Sequence, residues 1–246
     1  MSWLALLLIG LGLADLGHSI RPVRRWPEAI AAIVVVLLGL VADLTEPVDV
    51  VALLVIAGVV IAWGWSVRDG FGRDRAGRAL VLLGVALAAA LAGSVYAGEA
   101  GGAVQRWLDE TPIPVVAGLD ADRALLVLGV LLVQMSTGNV IVRLVLRATG
   151  TVDPARGAAH DATRTLKGGR LLGPMERLFI VGLGLAGHIT AASIVIAAKG
   201  LLRFPELQAA RDGTTGPSID EVTEYFLVGS FVSWSISLVS LVLLVQ

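Results

Sequence analysis

Seven times along the 246 residues an apolar run recurs that is long enough to cross the hydrocarbon core of a bilayer, a layer ~30 Å thick that takes about 20 helical residues. The runs extend from Leu4 to Ile20, Pro27 to Leu44, Val48 to Val67, Ala79 to Ala97, Arg123 to Leu146, Leu178 to Leu202 and Phe226 to Val245. Each is apolar on nearly all sides. That pattern suits a segment whose backbone groups must all be paired within itself because lipid offers no partner. Hydrophobic residues make up 56% of the chain and charged residues 16%, against about 25% charged in soluble domains. A globule of this length has too little interior to hide so much apolar surface. The expected fold is therefore all-α: a polytopic integral membrane bundle of about seven transmembrane helices, forming one transmembrane domain. Residues 1–97 would be its four-helix part and residues 123–246 its three-helix part.

Further features narrow this reading. The first run has no basic flank before it and no small-residue cleavage site after it, so it is expected to be a retained span. Cysteine is absent, which excludes disulfides, thiolate chemistry and cysteine-ligated metals. A net charge of -1 gives no reason to expect a nucleic-acid partner. Glycines inside the runs, among them Gly10, Gly12, Gly84, Gly182, Gly184 and Gly187, would weaken soluble helices but allow membrane helices to approach closely.

Basic residues are distributed unequally between alternate connections, fourteen against five. The positive-inside rule then places the N-terminus outside and the C-terminus in the cytoplasm, with a bacterial inner (plasma) membrane as the expected setting. The outer connection, residues 99–122, contains Ala103-Val-Gln-Arg-Trp-Leu108 and then Thr111-Pro-Ile-Pro. It reads equally as a short interfacial helix anchored by Trp107 or as a plain covering loop, and re-entry of residues 102–118 stays open. The inner connection, 147–173, reads as a solvated loop near anionic headgroups. Its Gly-rich stretches lack the phosphate-loop pattern.

Stranding an ionisable side chain in hydrocarbon costs ~2.5 kcal/mol or more, so polar residues at depth are the candidates for function. In the sixth run, helical spacing puts Arg177, Gly184, His188, Ala192, Lys199 and Arg203 near one stripe, with His188 close to mid-membrane. The histidine reads as helix–helix glue or as a proton-relay or solute-contacting group; a metal ligand is disfavoured, since Asp15 and His18 are its only obvious complements. In the seventh run Ser230, Ser233, Ser237 and Ser240 form a hydroxyl face suited to close packing or to a polar cavity. Asp15 and His18 share a face near the inner end of the first helix. With Asn139, Glu176 and Arg177 they form either one buried network or separate helix-end charges. On the outer side, Asp43 falls at the depth of Lys199 and is expected to pair with it. The six tryptophans read as interface anchors.

Four stretches carry a family likeness: Gly169-Arg-Leu-Leu-Gly-Pro-Met-Glu-Arg177, Ala197-Ala-Lys-Gly-Leu-Leu-Arg-Phe-Pro-Glu206, Glu224-Tyr-Phe-Leu-Val-Gly-Ser230 and, more weakly, Gly138-Asn-Val-Ile-Val-Arg143. From about Gly138 onward the chain resembles an uncharacterised family of bacterial integral membrane proteins, a domain of unknown function. The resemblance implies that Asn139, Glu176, Arg177, Lys199, Arg203, Glu206 and Glu224 form the working part, and it supplies no mechanism or cofactor.

Three functional classes follow. A transporter or channel for a small or anionic solute would use Asn139, His188, the serine face, and Lys199 and Arg203 as the attraction for an anion. A non-catalytic scaffold, possible as a homo-oligomer within membrane lipids, would use the small residues for packing. An intramembrane enzyme acting on lipid headgroups has least support, because no HExxH zinc motif or paired carboxylate lies in a span.

Overall fold

The computed structural model describes residues 1–20, 26–72, 75–114, 116, 118–151, 169–198 and 219–245. Every regular element among them is helical. The elements are α1 (Ser2–Ile20), α2 (Trp26–Val41), α3 (Pro47–Gly72), α4 (Ala76–Gly93), α5 (Gly102–Glu110), α6 (Ala121–Leu132), a π turn (Val133–Thr137), α7 (Gly138–Ala148), α8 (Gly169–Leu185), α9 (Ile189–Ala198) and α10 (Ile219–Val245).

Among the described residues, five helices are long and apolar enough to cross a membrane: Ser2–Ile20, Pro47–Phe71, Ala76–Gly93, Ala121–Ala148 and Thr223–Val245. Two expected spans fall outside this set. The second stops at Val41, short of Leu44, because Asp43 turns to a positive φ of 63°. The amide of Leu44 then returns to the carbonyl of Gly39 (3.0 Å) and that of Asp43 to Leu40 (3.1 Å), the paired bonds that satisfy a helix end. Aspartate tolerates this left-handed conformation better than most residues.

The sixth expected span is not one helix. At its middle Gly187 takes φ 77°, His188 N–H bonds back to Leu183 (2.8 Å), and Gly187 N–H bonds back to Gly184 (3.0 Å). The same termination device thus splits the run, and α9 restarts at Ile189, with Ala192 N–H on the carbonyl of His188 (3.1 Å). The single stripe from Arg177 through His188 to Ala192 is lost with the helical continuity. The outer connection adopts the helical alternative. In α5 Leu108 is buried and Trp107 exposed, while Gln105 accepts the amide of Ala121 at 2.8 Å.

The chain divides into two compact units, Met1–Thr137 and Gly138–Gln246. In the first, α1 packs against α2, α3, α4, α6 and the π turn, so its all-round apolar surface is covered by protein. Close approach depends on missing side chains. A Cβ at Gly10 would lie 2.6 Å from Val60, one at Gly12 2.5 Å from Leu132, and one at Gly129 2.9 Å from the carbonyl of Ala5. The outer faces of α2, α3 and α4 instead present Ile33, Leu37, Val51, Leu54, Val81 and Val85, all exposed. An apolar exterior over this many turns matches lipid rather than water. At the α1 N-terminal end, Asp49 accepts from the Trp3 indole (2.7 Å) and the Gly98 amide (3.1 Å), and Ser2 donates to the Gly98 carbonyl (2.8 Å).

In the second unit α10 packs against α7 and α8. Gly184 lets α8 meet Leu241 of α10, where a Cβ would come within 2.6 Å of the leucine methyls.

Candidate functional site

Among the described residues, the candidate polar side chains that meet across helices do so at two centres, one in each unit. In the first unit α1 carries Asp15 and, one turn later, His18. Asp15 is 6% exposed, and both of its oxygens face the indole N–H of Trp63 on α3, at 3.2 and 3.1 Å. The hydroxyl of Thr137, at the end of the π turn, lies beside the same carboxylate. It is buried and makes no hydrogen bond of ordinary geometry among the described residues. The turn itself is fixed by Ser136, which donates to the carbonyls of Gly12 and Leu132, each at 2.8 Å. π turns of this kind recur at functional positions because they shift the register of one helix face.

His18 Nε2 lies 2.9 Å from Oε1 of Glu28, and Arg68 of α3 bonds to that same oxygen. Glu28 is 2% exposed and its Oε2 has no partner among the described residues. Room for its side chain exists because residue 64 is glycine: a Cβ there would sit 2.2 Å from Cγ of Glu28.

In the second unit the centre is Arg177 of α8, 1% exposed. Its guanidinium donates to Oδ1 of Asn139 on α7 (2.9 Å) and to the hydroxyl of Ser233 on α10 (3.3 Å). Gly138 makes the place for it, since a Cβ at that position would lie 2.7 Å from Nε. The preceding residue, Glu176, is also buried and accepts the indole N–H of Trp234 at 2.9 Å.

Asp15 and His18 therefore find partners inside the first unit, while Asn139, Glu176, Arg177 and Ser233 meet inside the second. Ser237 and Ser240 are buried and turn their hydroxyls onto carbonyls of their own helix, those of Ser233 (3.4 Å) and Ile236 (2.8 Å). His188 is exposed at the break between α8 and α9. Lys199, Arg203 and Glu206 lie outside the described residues, and with them the expected Asp43–Lys199 pair. Glu224 accepts from the Thr151 hydroxyl at 3.4 Å.

Residues that the sequence reading passed over are Glu28, Trp63, Arg68, Thr137 and Trp234. The tryptophans correct an expectation. Trp3, Trp63 and Trp234 each give the indole N–H to a carboxylate, of Asp49, Asp15 and Glu176 respectively. An indole donates and never accepts, and its body is apolar, so it satisfies a buried carboxylate without bringing a second charge into the bundle. A tryptophan followed by glycine in mid-run, as at Trp63-Gly64, was the available signal. No group of three or more histidine, aspartate or glutamate side chains among the described residues is arranged to hold a metal ion. Comparison with protein-family models, curated proteins and solved structures finds no match for the chain.

Proposed function

We propose that the chain is a small polytopic transporter or channel for a small anionic solute, and that Arg177 with Asn139 and Ser233 is its solute-contacting centre. One observation carries this reading: a guanidinium 1% exposed at the meeting of three helices of an apolar bundle. An ionisable group at such depth is costly, and proteins that retain one generally use it on a solute or ion path. Guanidinium donors arranged in a fixed plane suit carboxylate-like and other oxyanion solutes. The interruption at Gly187 supports the same reading, because discontinuous helices recur in transporters, where freed backbone groups line a path.

On this proposal the five long helices are joined by α2 and by the broken α8–α9 segment to give seven crossings of a bacterial inner membrane. The N-terminus lies outside, and the end of the first unit bearing His18 and Arg68 faces the cytoplasm. The likeness of the C-terminal half to an uncharacterised membrane-protein family belongs to the same proposal, and assigns Asn139, Glu176 and Arg177 to the working part.

The test is flux of chloride, nitrate, sulfate and inorganic phosphate into proteoliposomes. Arg177→Gln keeps a donor for Asn139 and removes the charge. Its flux should fall about tenfold or more, since hydrogen bonds to charged groups contribute ~1.5–3 kcal/mol. Absence of flux for every anion with the wild-type chain would overturn the proposal.

A scaffold or assembly partner is the second reading. It is favoured by the serines bonded to their own helix and by the Gly184–Leu241 approach, which are devices of close packing. A stable homo-oligomer without flux would support it.

A further inference from the structure

The carboxylate centre of the first unit has no part in the anion reading, and its geometry has its own requirement. Asp15 is buried among α1, α3 and the π turn, and its hydrogen bond comes from a neutral donor, Trp63. Among the described residues few charges lie near it. His18 follows on its own helix, and α2 brings Glu28, whose charge is already met by Arg68 of α3. At that end of the bundle α4 brings Arg78, exposed, and Arg75, paired with Asp69 at 3.4 Å. The titratable groups of α6, Asp122 and Arg123, lie at its other end, near the α1 N-terminus. A carboxylate held this way is stable at depth only with a small positive charge beside it or on it.

The Thr137 hydroxyl beside Asp15, Nε2 of His18 and Oε2 of Glu28 are buried and make no hydrogen bond of ordinary geometry among the described residues. A hydroxyl can donate to an ionised Asp15 or accept from a protonated one, so Thr137 can serve the carboxyl in either state, as a reversible proton site needs. The group placed to pass a proton is His18, one turn beyond Asp15 on α1, with its side chain 30% exposed and its Nε2 2.9 Å from Oε1 of Glu28.

We propose that Asp15 is a reversible proton-binding site, loaded through His18, which couples solute movement to a proton gradient. The proton comes from the aqueous side, binds a carboxylate oxygen and leaves by the same groups or across the bundle; no bond between heavy atoms changes. The coupling rests on the transport reading above, and the proton binding does not.

Two measurements keep them apart. Infrared difference spectra of the purified chain between acid and alkaline buffer read carboxyl protonation without any flux. A protonated-carboxyl band present in the wild type and absent in Asp15→Asn supports the site, and a band unchanged by that substitution overturns it. Asp15→Asn keeps an oxygen acceptor for Trp63 and mimics the protonated form, so the fold is expected to survive.

In proteoliposomes loaded with a pH dye and supplied with chloride or phosphate, the same variant should lose gradient-driven uptake by about tenfold, a usual size for coupling between two sites. Its exchange of solute without a gradient should stay within about twofold of the wild type on the same account. Gradient-driven uptake that persists in Asp15→Asn would overturn the coupling. Flux that fails under all conditions would overturn the transport reading and the coupling with it, leaving the infrared result to decide proton binding.

Discussion

In the first unit the charges that meet come from different helices: Glu28 of α2 lies between His18 of α1 and Arg68 of α3, and Asp15 lies against Trp63. In the second unit the opposite charges are chain neighbours, Glu176 and Arg177. Consecutive residues on a helix point about 100° apart, and the two reach a second pair of neighbours on α10: Glu176 takes Trp234 and Arg177 takes Ser233. Two adjacent residues matched to two adjacent residues fix the register of α8 on α10, because sliding by one position breaks both bonds. The first centre is thus a chain of groups that reaches the bundle end, and the second is a register lock between α8 and α10 around a buried cation.

The largest expected effect separates the two directly. Arg177→Ala removes a fully buried guanidinium and leaves its acceptors unmet, which should cost ~3–5 kcal/mol. Glu28→Ala removes an equally buried group whose partners reach water, His18 at 30% and Arg68 at 38% side-chain exposure, and should cost only ~2–3 kcal/mol. Unfolding of the two variants in detergent tests the order, and an equal or reversed pair would remove the contrast between a chain that reaches the bundle end and a register lock.

A smaller effect tests what the units share. Trp63→Phe and Trp234→Phe each delete one N–H given to a carboxylate and should each cost ~1.5–3 kcal/mol. Trp63, at 0% exposure, should be the more costly. Losses below ~0.5 kcal/mol for both would show that the carboxylates do not depend on the indoles.

The smallest effect sharpens the lock. Ser233→Ala should cost ~1 kcal/mol, whereas Ser237→Ala should stay within ~0.5 kcal/mol because its hydroxyl bonds to its own helix. The same melting experiment reads both, and equal losses would make the serine face a uniform seam.

The apolar runs could be read from sequence because bilayer thickness sets their length independently of packing. Positions 176 and 177 stood out for the same reason, as charges at the edge of a run. The break at Gly187 could not be told from its neighbours, since Gly182 and Gly184 look the same in sequence and only one of the three takes a positive φ. The helix-ending role of Asp43 was hidden similarly: nothing local marks an aspartate that takes the left-handed conformation. Glu28 was passed over because its burial depends on Gly64, thirty-six residues away, for space. Contacts of that kind are decided by how helices are laid together, which periodicity within one helix does not encode.

The chain has no cysteine, so single substitutions can be probed without background. The most direct test of a solute path at the second centre is the reaction of Ser233→Cys and Ser237→Cys in intact membranes with a small, charged, thiol-specific reagent. The account predicts modification at 233, slowed by the transported anion, and none at 237. No modification at either position would contradict it and leave the polar centre as packing alone.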